Sequence, residues 1–132
     1  MTYNRCSMEE PTEEQLQQSL SNGEFIMAGL SLTAQWDDPT ALLSKWASGN
    51  AGNYGFYSNS AYDMLMRVTN ASSKAEVRSA YLKDAEGLLL QNAQTIPLYF
   101  TTTAFKLRDG LEGVFHDGLG NYYFTGVNRV SK

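Results

Sequence analysis

Adjacent carboxylates, a histidine beside an aspartate and a glycine-rich turn are the places in this 132-residue chain where catalysis could reside. Asp37 and Asp38 stand directly before Pro39, with Glu24 near them only in sequence. Two carboxylates divide acid and base work when their environments differ. At a proline turn the same pair reads as a helix cap and its solvated neighbour. Asp38 caps, and Pro39 opens the helix where a missing N–H costs nothing. His116 next to Asp117 has the composition of a base and its orienter, but successive strand residues face opposite sides. It reads as a surface histidine. Gly118-Leu119-Gly120-Asn121 lacks the lysine and the following helix of a phosphate loop and reads as a turn. Neither a nucleophile elbow nor a dinucleotide fingerprint occurs. Cys6 is the only cysteine and His116 the only histidine, so an internal disulfide is excluded. A zinc site with two or more such ligands would need both residues, far apart in the chain. No catalytic residue, metal set or cofactor motif emerges, which argues against an enzyme and leaves a ligand-binding or an interaction domain as the two readings of the residues.

The aromatic residues leave two readings open. Tyr54, Phe56 and Tyr57 fall in or beside the Gly/Asn stretch Ser48 to Gly55, and Trp36 sits in a turn after an apolar run. Loop aromatics line pockets, giving large contact at low entropic cost. They equally serve as lids on the core beneath a loop.

The elements that would position these residues follow from caps and periodicity. Met1 to Glu9 is read as a short strand. Thr12 and Gln15 fit a capping box, Leu16 and Leu20 give a narrow apolar stripe, and Asn22-Gly23 is a stop signal. Phe25 to Leu32 reads as a buried strand. A helix after Asp38 carries Leu42, Leu43 and Trp46. Another, from Ser58, carries Tyr62, Leu65, Met66 and Thr69. Ser73 and Glu76 suggest a second capping box, opening an amphipathic helix of about five turns with Val77, Ala80, Tyr81, Ala85, Leu88 and Leu89. Ile96 to Thr101 reads as a strand with Pro97 at its edge. Short strands follow around Ala104 to Leu107, Val114-Phe115 and Tyr122 to Phe124, separated by turns at Asp109-Gly110 and Gly118 to Asn121. The fold class is α/β, with helices in the middle and strands at both ends. The strand-rich tail needs partners that its own length barely supplies.

Length and charge narrow the function. One domain's worth of chain with a net charge of −4 offers no basic footprint for nucleic acid. No apolar run is long enough to span a bilayer. The first residues lack the apolar core of a signal peptide.

Several stretches together resemble the extracytoplasmic solute-binding proteins of ABC importers, family 5, of oligopeptide, dipeptide and nickel-binding type. Asn22-Gly23-Glu24-Phe25 resembles the family's Asn-Gly-Asp-Phe-Asp strand entry. Gln35-Trp36-Asp37-Asp38-Pro39-Thr40 resembles its Asp-Tyr-Pro-Asp-Pro turn. Gly49-Asn50, then Tyr57 to Leu65, resembles its Gly-Tyr-Ser-Asn-Pro-Glu-Tyr-Asp-Ala-Leu block. Arg78, Tyr81, Ala85, Glu86 and Leu89 keep the register of its Arg-x-x-x-Tyr-x-x-Ala-Glu-x-x-Leu helix. Ala93 to Tyr99 is similar to Ala-Pro-x-Ile-Pro-Leu-Tyr, and Gly113 with Leu119 to Phe124 resembles the terminal Gly-Tyr and Pro-Leu-Gly-x-x-Phe.

The resemblance runs from about Leu16 to Lys132 but covers only the last part of such a protein. It implies a fragment of the C-terminal lobe of a bilobal, periplasmic-binding-protein-like fold. Residues 1–96 would belong to that lobe, and 97–132 would be the tail returning to the first lobe. It implies capture of oligopeptides, or of another solute such as a sugar or metal chelate, in a cleft between lobes, for delivery to an ABC permease. The location implied is extracytoplasmic, in the periplasm or anchored as a lipoprotein. The ligand-binding residues carried over are Leu32, Thr33, Ala34, Gln35 and Trp36. Peptide binders of the family have an acid at the position of Gln35, where it anchors the peptide's α-amino group. An amide cannot make that charge-assisted bond. The alternative use of such a domain is as the sensor of a transcriptional regulator. With the first lobe missing, open strand edges in the tail lead to the expectation of a homodimer through the C-terminal strands.

Overall fold

Thr12 begins the first regular element. Its hydroxyl accepts the Gln15 N–H at 3.3 Å, and the Gln15 side chain accepts the Thr12 N–H at 3.0 Å. This reciprocal box opens α1 (Glu13–Asn22) as its sequence predicts. Gly23 ends it at φ 71°, and a Cβ there would lie 2.8 Å from the Phe56 ring. The left-handed backbone is what calls for glycine; the Phe56 ring, 65% exposed, has room to move away from an added Cβ. The computed structural model describes residues 7–102 and 104–130. Most of the strand expected at Met1 to Glu9, and Cys6, lie outside them.

Asp38 receives the Thr40 N–H at 2.9 Å and starts the short α2 (Thr40–Leu43), which tightens into a 3-10 turn at Ser44–Trp46. Asn59 caps α3 (Ser60–Ala71), accepting from the N–H groups of Ala61 and Tyr62. The longest helix, α4 (Ala75–Gln91), lacks the capping box expected at Ser73 and Glu76. Lys74 stands at the cap position, and its N–H is taken by the Ser72 hydroxyl at 3.2 Å.

The core lies where α3 crosses α4. Tyr62, Met66, Ala85 and Leu89 are buried together, with Leu43, Trp46, Tyr57, Leu65 and Leu88 packed around them. Tyr62 and Met66 lie four apart on one helix face, as do Ala85 and Leu89 on the other, which is what the helical repeat demands. The Tyr62 hydroxyl donates to the Leu43 carbonyl at 2.6 Å and ties α2 to this core, and burial pushes its phenol pKa up. Tyr57 meets the Tyr62 ring edge-on at 5.5 Å.

The apolar runs outside the helices behave differently. Phe25 to Leu32 and Ile96 to Thr101, read as strands, are not hydrogen-bonded into any sheet among the described residues. Ile26 is 94% exposed and Phe100 97%. An extended segment becomes a strand only against a partner edge, and these two find none here.

The tail does pair. β1 (Leu111–Glu112) lies antiparallel to β4 (Asn128–Arg129), and β2 (Phe115–His116) to β3 (Tyr122–Tyr123). The two ladders nest as one long hairpin, so from Leu111 onward the tail supplies its own partners, contrary to the expectation of an orphan ribbon. Gly113, at φ 88°, makes this possible: a Cβ there would sit 2.1 Å from the Gly126 carbonyl oxygen. Among the described residues none beyond Leu89 is buried, so the hairpin is a thin layer beside the helical core. The α/β class holds, and among the described residues the paired strands lie at the C-terminal end.

Candidate functional site

Leu32 to Trp36 run as an extended segment into a bend at Gln35 to Asp38. Leu32 and Trp36 are 42% and 46% exposed, Thr33 and Gln35 are exposed, and Ala34 is half-buried. Among the described residues, the backbone groups of Leu32 to Gln35 make no hydrogen bond within the chain. The segment therefore presents one open row of donors and acceptors flanked by two large apolar side chains.

The bend itself is held firmly. Asp38 N–H donates to the Trp36 carbonyl at 2.9 Å. The Trp36 indole N–H donates to the Thr40 hydroxyl at 3.3 Å, and that hydroxyl donates to Asp38 Oδ1 at 2.6 Å. Asp38 Oδ2 pairs with Arg78 Nη2 at 2.5 Å, and Arg78 Nη1 reaches the Thr69 carbonyl at 2.7 Å. Hydrogen bonds from the Thr40 side chain and backbone, and then the Arg78 guanidinium, hold the Asp38 carboxyl below its ordinary range. Asp37 stays exposed. The pair thus divides into a capping carboxylate and a solvated neighbour, the reading its composition supports. What sequence reasoning missed is Arg78. It lies in the first turns of α4, forty positions from Asp38, and no local pattern links them.

The loop aromatics split between their two readings. Tyr57 covers the core through Tyr62. Tyr54 reaches Gln17 of α1 at 3.4 Å. Phe56 stays 65% exposed at φ 49°, its ring over Gly23. Beside them lies an open groove of about 450 Å³, lined by Ser48, Asn50, Tyr54, Phe56 and Tyr57 among others, with no charged side chain.

His116 and Asp117 do not form a base and orienter. The His116 ring meets Phe105 edge-on at 5.7 Å. The Asp117 carboxylate turns away, accepting from the N–H groups of Leu119 and Asn121, from Asn121 Nδ2 and from the Tyr123 hydroxyl, all within 2.9–3.0 Å. These bonds, Asn121's first, hold its pKa down to about 2. Among the described residues no three His, Cys, Asp or Glu side chains gather to hold a metal ion.

The resemblance seen in the sequence extends to individual proteins. No family model matches the chain. It is 25% identical over 95 residues to the periplasmic murein peptide-binding protein MppA of Escherichia coli, covering 72% of this chain and 18% of that one. It is 30% identical over 78 residues to the probable deoxycholate-binding periplasmic protein YgiS of Escherichia coli, covering 59% and 15%. It is 25% identical over 97 residues to the dipeptide-binding protein DppE of Bacillus subtilis, covering 74% and 18%. The chain thus spans less than a fifth of the length of these curated relatives. Among solved structures it is similar to the peptide-binding pheromone receptor PrgZ, with a TM-score of 0.68 and 25% identity, over 91% of this chain and 23% of the receptor. In sequence and in fold, the chain resembles part of a family 5 extracytoplasmic solute-binding protein. The relatives are binding proteins, and two of them are periplasmic by name.

Proposed function

We propose that this segment is one wall of a solute-binding cleft in an extracytoplasmic protein that captures peptides, or a related solute, and delivers them to an ABC permease. The observation that carries this reading is the fold match to a peptide-binding receptor over 91% of the chain. Two features add support. The unbonded backbone of Leu32 to Gln35 suits an extended peptide laid alongside it, where main-chain bonds give affinity and flanking side chains give selectivity. The bare apolar runs around Ile26 and Phe100 suit strands whose neighbours belong to the rest of a bilobal protein. In this reading residues 1–96 belong to the second lobe and 97–132 return to the first. Leu32, Thr33, Ala34, Gln35 and Trp36 face the ligand. The protein works in the periplasm or from a lipid anchor. Taken alone, two copies of the chain would associate as a homodimer through the C-terminal strands.

The test is calorimetry against a library of short peptides, on a chain carrying both lobes and on these 132 residues alone. The two-lobed chain binds, and Trp36→Ala weakens binding while leaving the melting temperature nearly unchanged. The segment alone binds no tighter than about 0.1 mM, because half a cleft leaves most of the ligand in water. Micromolar binding by the segment alone, or none by the two-lobed chain, overturns the proposal.

A further inference from the structure

A continuous line of donors and acceptors runs from the end of α3 to the indole of Trp36. We propose that Arg78, Asp38 and Thr40 are positioning residues that fix the orientation of Trp36 on the ligand-facing turn. The value of that orientation to a ligand rests on the proposed function. The linkage itself does not.

The direction of each bond follows from the groups present. An ionised carboxylate only accepts, so the Thr40 hydroxyl must give its single proton to Asp38 at 2.6 Å. Its lone pairs are then left toward Trp36, whose indole N–H only donates. Asp38 is kept from turning by its other oxygen, which holds Arg78. Arg78 is kept from turning by its second nitrogen, which donates to the Thr69 carbonyl at 2.7 Å. Thr40 and Thr69 are 7% and 0% exposed, so water competes little at the Thr40 hydroxyl and the Thr69 carbonyl, while the Arg78 and Asp38 side chains between them are 23% and 32% exposed. Trp36 is nearly half exposed, and solvent satisfies its N–H whenever the bond to Thr40 is missing. Breaking the line therefore frees the indole at little cost to folding. The signature is motion of one side chain rather than loss of stability.

The experiment reads Trp36 fluorescence in the 132-residue chain without ligand, with the Trp36→Phe variant supplying the Trp46 background to subtract. Thr40→Val, close in shape but without the hydroxyl, lowers the anisotropy of Trp36 and increases its quenching by acrylamide. Thr40→Ser, which restores the hydroxyl, returns both toward the wild-type values. Arg78→Met acts in the same direction as Thr40→Val, because it releases the far end of the line. It also serves as the second probe should Thr40→Val fail to fold by circular dichroism. Equal signals for Thr40→Val and Thr40→Ser overturn the proposal. So does an Arg78→Met protein with Trp36 unmoved. Adding peptide to wild-type chain carrying both lobes separates this inference from the proposed function. Trp36 emission unchanged at saturating peptide removes the turn from the ligand site, while a Val–Ser contrast still upholds the positioning.

Discussion

The carboxamide of Asn53 and the backbone of Tyr57 pair reciprocally. Oδ1 accepts the Tyr57 N–H at 2.9 Å, and Nδ2 donates to the Tyr57 carbonyl at 2.7 Å and to the Ala47 carbonyl at 3.3 Å. The side chain is buried and stands in for a neighbouring strand inside a loop that has none. It also sets Tyr57 against the Tyr62 ring and thereby joins the loop to the core.

Asn53→Ala leaves the Tyr57 N–H and carbonyl without their partner, while the Ala47 carbonyl keeps the Asn50 N–H at 3.1 Å. The expected cost is about 2 kcal/mol, in the range for a buried group left unpaired. Asn53→Asp keeps an acceptor for the Tyr57 N–H but turns a carboxylate toward two carbonyls, and is expected to destabilise at least as much at neutral pH. Urea denaturation of both variants checks this. An Asn53→Ala midpoint equal to wild type shows that the loop holds without the brace.

Acid should loosen the hairpin through Asp117. Bonds from Asn121, Leu119 and Tyr123 hold the Asp117 pKa at about 2, below its ordinary 3.8. A carboxylate with a lowered folded pKa contributes stability that is fully present above the unfolded value and is lost as pH falls through the folded one. The Asp117 contribution is therefore intact above about pH 4 and fades toward pH 2. Carbon-detected NMR of the Asp117 carboxyl, followed alongside the Tyr123 ring signals, checks both position and coupling. A carboxyl titrating at the ordinary value contradicts the geometry. Asp117→Asn removes this acid transition from the Tyr123 signals.

Local signals made much of this fold legible. The Thr12–Gln15 box, the Gly23 stop, the Asn59-capped helix and the stripe ending in Ala85 and Leu89 all depend on neighbours within a turn or two. Where the reading failed, the deciding partner was distant or absent. Phe25 to Leu32 has the apolar content of a buried strand, but that content only states what the segment prefers beside a sheet. The inner arm of the hairpin, Phe115-His116 against Tyr122-Tyr123 around the turn at Gly118 to Asn121, was legible, whereas the outer pairing of Leu111-Glu112 with Asn128-Arg129 was not: it depends on a contact of Gly113 with Gly126, and a glycine in sequence does not disclose what approaches it. At the candidate site Asp38 was legible as a cap, whereas its ion pair with Arg78 was not, since a partner forty positions away on another element leaves no periodic trace.

The exposed run before the hairpin should control association. Ile96, Leu98, Tyr99 and Phe100 follow one another closely in the chain and are all exposed. The hairpin has satisfied much of its own backbone pairing, so apolar contact at this run, more than edge pairing after Leu111, would drive two copies together. Sedimentation velocity of the 132-residue chain is expected to show association that increases with concentration. Replacing Leu98 and Phe100 by Ser should shift it toward monomer with the helical circular dichroism unchanged. A wild-type chain that stays monomeric at high concentration removes the run as an association surface.

Gln35 offers a change that should gain function. It is exposed at the opening of the bend, and the resemblance implies that this is the position at which peptide binders of the family hold an acid against the ligand's α-amino group. A glutamine carbonyl can accept from an ammonium group, but without net charge the bond is roughly half as strong as one to a carboxylate. Because the position is solvated before ligand arrives, Gln35→Asp carries little folding penalty. In a chain with both lobes, the substitution should tighten binding of peptides with a free amino terminus by about tenfold, equivalent to ~1.4 kcal/mol. N-acetylated versions of the same peptides, lacking the cation, should gain nothing. The gain should shrink at high salt, as expected for a charge pair open to water. Gln35→Ala supplies the control, since it removes the acceptor without adding charge. Equal gains for free and acetylated peptides would mean that Gln35 does not face the amino terminus, and the peptide would then lie differently along Leu32 to Trp36.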